Sequence, residues 1–227
     1  MKKLIEPYRG ELSPKEIAHG MNAAGRNAKR LLKDAKLLNE AKRFPTACSL
    51  AILSIEESGK LCILRSIATA QVEKELRRMW KDYRDHQMKN VMWIITELAG
   101  KGARTLDDLK PIFDRESEHP AILDTVKQIG FYTDCNGQGH WSEPDSVVDE
   151  GLAQKMLAIA EILTPKHETT EREVELWIAH VGPHWGTPEM KKGAVEFYKA
   201  MLREGLTQHR IEEVEQFFGI TLKRTEH

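Results

Sequence analysis

Apolar positions along this chain return every three or four residues, and nowhere convincingly every two. Ile17, Met21, Ala24, Ala28, Leu31, Ala35 and Leu38 form one such series, with Lys29, Arg30, Lys33 and Asp34 between them. That is the stripe of an amphipathic helix. Ser13-Pro14-Lys15-Glu16 ahead of it is a capping box with proline in the first turn, so the helix should begin there. Pro45 opens a second helix, whose stretch from Ala47 to Ile55 is apolar nearly all round and belongs at the centre of a bundle. A third helix is predicted from about Val72 to Leu98, stopped at Gly100. A short helix follows near Leu106 to Phe113, and Pro120 starts another that ends at Gly130.

Residues 131–144 carry Gly137, Gly139 and Asn136 and are predicted as a loop, its Phe131, Tyr132 and Trp141 packed on the body. Ser146 is the expected cap of the next helix, through Leu152, Met156, Ile159 and Leu163. Thr164-Pro165 marks a boundary. Beyond it Thr170-Glu171-Arg172-Glu173 and Thr187-Pro188 open two helices, and a last one ends near Gly219. The expectation is an all-α fold: a helical bundle over residues 12–163 and a helical C-terminal extension over 164–227.

Composition narrows the function. With 34 Lys+Arg against 35 Asp+Glu, no large positive field exists to hold a polyanion, although a local basic pocket is compatible with the count. Cys48, Cys62 and Cys135 have neither zinc-ligand spacing nor an even number, which fits reduced thiols. The first residues have the charges of a signal peptide without its apolar core, and no run approaches the roughly 20 apolar residues of a membrane span. A cytoplasmic location with no membrane association is expected. His180 and His184 flank a Gly-Pro break without a nearby carboxylate, and no dinucleotide, phosphate-loop or hydrolase motif occurs, so neither a metal nor a cofactor is predicted. Trp80, Trp93 and Trp177 read as core; Lys191-Lys192 and Lys223-Arg224 read as solvated surface.

One feature breaks the apolar pattern. Glu56-Glu57-Ser58-Gly59-Lys60 interrupts the most hydrophobic helix, and both carboxylates emerge from faces that look buried. A buried carboxylate without a partner costs several kcal/mol or becomes neutral. Lys60 stands four residues after Glu56 in the favourable orientation, but one lysine cannot neutralise two carboxylates. A second cation should therefore arrive from a neighbouring helix. Gly59, unfavourable in a helix interior by roughly 1 kcal/mol, suggests a close crossing at that point. If the third helix is regular, Asp82, His86, Lys89 and Trp93 form one stripe, and Arg84 points elsewhere. Glu56 or Glu57 is expected to touch His86 or Lys89. Truncating Glu57 or Lys60 should then lower stability by about 3–5 kcal/mol.

These elements resemble a known family. Ala28 to Leu38, then Phe44-Pro45-Thr46-Ala47, then Ile55-Glu56-Glu57-Ser58-Gly59-Lys60 are similar to the opening of the AbiV abortive-infection proteins. Arg84 to Lys89 and Gly130-Phe131-Tyr132-Thr133-Asp134, with Trp141 and Pro144, are similar to their later part. The resemblance implies a HEPN-like helical bundle, a homodimer, and a role in antiphage defence through a phage or host protein or an RNA. It also raises two alternatives, a metal-independent endoribonuclease and a non-catalytic interaction module. Many HEPN ribonucleases separate an Arg from a His by four to six residues. Here Arg78 lies too far from His86, Arg84 too near, and Arg115 one residue short of His119. Arg203 and His209 have the spacing, but Gly205 should break the helix between them. The candidate catalytic residues are thus His86, Lys89, Glu56 and Glu57, with Lys60 and Arg84 as binding candidates.

Overall fold

Ser13 closes its capping box as the sequence predicts: its Oγ accepts from the Glu16 amide at 3.3 Å, and its own amide donates to the Glu16 carboxylate at 2.8 Å. The computed structural model describes residues 6–114 and 117–220. From the Ser13 cap, α1 runs over Pro14–Glu40, and a tight turn through left-handed Lys42 leads back into α2, Phe44–Ala68. Ile17, Met21, Ala24, Ala28, Leu31 and Ala35 are buried along α1.

α2 is the axis of the molecule. It packs against α1, against α3 (Glu73–Arg84) and α4 (His86–Asn90), and against α6 (His119–Phe131) and α8 (Glu150–Leu163). Surrounded in this way, it needs apolar residues on every side, which is what the run from Ala47 to Ile55 supplies. Two apolar clusters divide its length. Ile52 and Ile55 belong to one with Leu123, Met156 and Ile159; Leu64 and Ile67 belong to the other with Ile17, Leu76, Met79 and Trp80. Glu56 lies where the first gives way to the second.

The single third helix expected from Val72 to Leu98 is broken. Asp85 takes an extended conformation (ψ 126°), and its carboxylate accepts from the amides of Gln87 and Met88, capping α4 afresh. A 3-10 turn at Val91–Ile94 then leads into α5, Ile95–Gly100. Asp85 is a good cap in a place where the apolar stripe ran on unbroken, and the cap prevailed. Asp107–Phe113 forms a 3-10 segment where a short helix was predicted.

Three further expectations are corrected. The segment predicted as a loop contains a short antiparallel hairpin, Asp134–Asn136 (β1) against His140–Ser142 (β2), with Cys135 opposite Trp141. Its aromatic residues do not pack on the body, for Tyr132 and Trp141 are 63% and 73% exposed. Ser146 falls in a brief α7, Pro144–Val147, and the cap of α8 is Asp149, which accepts from the Leu152 amide.

After α8 ends at Leu163, Thr170 builds a second capping box for α9 (Glu171–His180), as predicted. α10 (Met190–Arg203) starts slightly beyond Thr187-Pro188, and α11 (Ile211–Phe218) is closed by left-handed Gly219. Gly205 terminates α10 with φ 70°, so Arg203 and His209 do not share a helix. α9 lies on α1, while Leu176, Val181, Phe197 and Met201 form a third apolar cluster. Trp80 is buried, and Trp93 and Trp177 pack half-buried against these clusters. Arg115, Lys223 and Arg224 lie outside the described residues.

Candidate functional site

Two glycines let two helices close on α2 from either side of Glu56. A side chain at Gly59 would fall on the carbonyl oxygen of Lys89, so α4 crosses α2 there with backbone against backbone. One at Gly130 would fall on the Ser49 hydroxyl and the Pro45 carbonyl, so α6 sits equally close to the first turn of α2. Ser49 donates to the carbonyl of Lys127 at 3.0 Å and fixes that register. These approaches bring side chains from three helices onto one carboxylate.

Glu56 is 2% exposed and receives a charge-assisted bond on each oxygen. Lys127 of α6 donates to Oε1 at 2.6 Å, and the Nδ1 of His86 lies 2.7 Å from Oε2. Lys89, 3.6 Å from Oε2, adds a second ammonium. Lys127 also pairs with Asp124 at 2.6 Å. Lys89 and Lys127 are 6% and 4% exposed, so two buried lysines answer one buried carboxylate and a half-buried one. Burial pulls the Lys89 ammonium below its ordinary value, an effect that the nearby Glu56 only partly offsets. Burial acts on Lys127 too, but its hydrogen bonds to Asp124 and Glu56 together outweigh it and hold the proton more tightly than usual.

The histidine ends this network at the surface. Its side chain is 57% exposed, and among the described residues its polar contacts run through Nδ1. The Glu56 oxygen at 2.7 Å is nearer to Nδ1 than the Lys127 and Lys89 ammonium groups at 3.3 Å and 3.5 Å, so a hydrogen on Nδ1 makes the short bond, and a ring with that one hydrogen has its lone pair on Nε2. Glu56 therefore sets both the tautomer and the direction of the ring.

The predicted meeting of a glutamate with His86 and Lys89 occurs, and the glutamate is Glu56. Glu57 stands apart with Lys60 at 2.6 Å, both partly exposed, so Lys60 serves Glu57 and not Glu56 as its spacing suggested. Arg84 turns away from the cluster: its guanidinium lies 5.1 Å from the Trp80 ring and donates to the carbonyls of Trp80 and Tyr8. The neighbouring helix that supplies the expected cation proves to be two helices, α4 with Lys89 and α6 with Lys127. Lys127 and Asp124 were missed, though the same signal marked the lysine. Leu123, Lys127 and Gly130 lie at helical spacing on one buried face, which is again a charge in an apolar stripe.

Ligand atoms of Glu56, His86 and Asp124 lie within 4.8 Å of one another, close enough for a metal ion. The Lys127 ammonium already occupies that position, 2.6 Å from each carboxylate and 3.3 Å from Nδ1 of His86. A divalent ion would have to displace it, so the donor set does not fit a metal in this arrangement.

The family model HEPN_AbiV, described as AbiV, matches residues 16–164. The chain belongs to the AbiV family. The match runs from the first turn of α1 through α8 and ends at Thr164, so every residue of the Glu56 cluster lies inside the AbiV region. Comparison with curated proteins and with solved structures gives no match. Among the described residues, no helix of this AbiV chain is long and apolar enough to cross a membrane.

Proposed function

We propose that the protein acts in antiphage defence, arresting the infected cell through a protein partner or an RNA target, with the His86 cluster as its working site. Membership of the AbiV family supports the defence role. One observation carries the site: an exposed histidine is oriented by a buried glutamate that two buried lysines balance. Holding three charges out of water is expensive. Apolar residues would join α2, α4 and α6 as well, and they would not aim an imidazole at solvent.

A second reading, endoribonuclease activity, is favoured by the free lone pair on Nε2. That atom can take the proton from a ribose 2'-hydroxyl as its oxygen attacks the adjacent phosphorus, and can return it to the departing 5'-oxygen. Arg84 does not face this chemistry, and the cations beside the ring are Lys127 and Lys89, 3.3 Å and 3.5 Å from Nδ1.

Plating a phage panel on cells carrying the wild-type gene, His86→Ala or His86→Gln tests the site. Both variants should fold, since the ring is over half exposed, and both should lose protection. A folded His86→Ala protein that still protects fully would reduce the cluster to scaffolding. Incubating purified protein with total RNA separates the readings: cleavage that His86→Ala abolishes points to the ribonuclease, and intact RNA beside lost protection points to a binding role.

A further inference from the structure

Away from the Glu56 cluster, two cavities meet at one arginine. The first, about 260 Å³, lies between α2 and the Leu163–Thr169 segment, and Met21, Leu61, Met92 and Leu163 give it apolar walls. The second, about 520 Å³, opens towards α10 and the turn at Gly205, with Phe197 and Tyr198 in its lining. Arg65 and His167 line both. Small-molecule sites typically enclose roughly 300–1,000 Å³ and combine an apolar lining with a few convergent polar groups.

Arg65 is half-buried in the last turn of α2, with its guanidinium 5.3 Å from the Trp177 ring. A cation at a helix C-terminus and a stack on an aromatic face account for an arginine at this position. They leave its N–H edge unused, for Arg65 and His167 make no side-chain hydrogen bond or ion pair among the described residues. The carboxylates nearby are engaged elsewhere. Glu168 pairs with Arg26 at 2.8 Å, Glu161 with Lys36 at 2.9 Å, and Glu173, which lines the second cavity, is buried in the capping box of Thr170. Lys166, on the rim of the first cavity, donates among the described residues to the Glu161 carbonyl at 3.1 Å. A chain with net charge -1 therefore gathers an arginine, a lysine and a histidine, none in an ion pair among the described residues, around one apolar hollow.

We propose that this junction binds a small organic phosphate of about mononucleotide size, its phosphate on Arg65 and His167 and its organic body in the apolar cavity. The planar guanidinium fork matches a phosphate or carboxylate edge. Three cationic or protonatable groups suit the double charge of a phosphate monoester better than the single charge of a carboxylate. None of Glu56, His86, Lys89, Asp124 or Lys127 lines either cavity, so the site is separate from the one described above.

Titration of the full-length chain with AMP, inorganic phosphate and decanoate, followed by calorimetry and tryptophan fluorescence, tests it. AMP should bind saturably at a single class of site, phosphate more weakly and decanoate not at all. Fluorescence should change, because Trp177 carries the Arg65 stack. Arg65→Gln and His167→Gln should each weaken AMP by about tenfold or more, roughly 1.4 kcal/mol per tenfold. His86→Ala and Lys191→Gln, the latter on a lysine that pairs with Asp107, should leave binding unchanged. His167 is exposed, so its variant carries the test if Arg65→Gln fails to fold. The proposal is overturned by no saturable AMP binding, by AMP binding that neither substitution weakens, or by decanoate binding in place of AMP.

Discussion

Lys127 is the residue whose loss the fold should feel most. Removing one partner of a buried pair typically costs about 3–5 kcal/mol, because the charge left behind loses its compensation. Lys127→Met should therefore lower the unfolding free energy by about that much, whereas truncating the Glu57–Lys60 pair, whose side chains keep some exposure to water, should have a smaller effect. The pH dependence has a definite sign. The folded value of Lys127 is raised, so its contribution is complete below the unfolded lysine value near 10.5 and is lost as pH rises through the folded one. Lys89 runs the other way: its depressed folded value makes its charge a burden that eases as pH climbs towards 10.5. Urea titrations of wild type and Lys127→Met should show a constant gap near neutral pH that narrows beyond 10.5. A gap that widens there would contradict the pairing. The sequence disclosed that a carboxylate was buried, because Glu56 and Glu57 interrupt an apolar helix. Which of the two turned inward was not legible, since both faces looked apolar and the docking of α4 and α6 decides between them.

At the level of elements, the contact between Gly59 and Lys89 sets where α4 can sit. Gly59→Ala gains up to about 1 kcal/mol in helix propensity. It also drives a methyl group into a backbone carbonyl, and overpacking of this kind costs typically 1–3 kcal/mol when neighbours cannot yield. A net loss of about 1–2 kcal/mol in chemical denaturation is expected, with weakened phage protection because His86 rides on α4. A stabilised, fully protective Gly59→Ala protein would mean that α4 is not seated so closely. Elements with local signals were legible: both capping boxes, the proline starts of α2 and α6, and the stop at Gly219. The break at Asp85 was hidden, because one side-chain cap competed with a stripe that continued past it. The hairpin was hidden because strands of three residues are too short to display an alternating pattern.

Over the whole molecule, the small residues of α1 are used for packing within the chain. Ala24, Ala28 and Ala35 are buried, and Gly25 admits the ring of Pro165. The homodimer that the family resemblance implies thus has its case in the family alone, and the exposed Leu37 and Ile162 beside the Lys36–Glu161 pair are the surface to test for it. Light scattering should give about twice the 26.0 kDa chain mass, and a monomer at every concentration would refute the dimer. The Glu56 cluster bears also on the order of assembly. α1 and α2 are joined by a tight turn and make local contacts that close cheaply, so this pair should form early. Glu56 meets His86 and Lys127 only across 30 and 71 residues, so its compensation arrives late. A premature collapse that buries α2 without α4 and α6 strands a carboxylate in an apolar interior and is penalised accordingly. The charge that positions the histidine thereby acts during folding as a proofreading device, discouraging any compact state in which the three helices have not met.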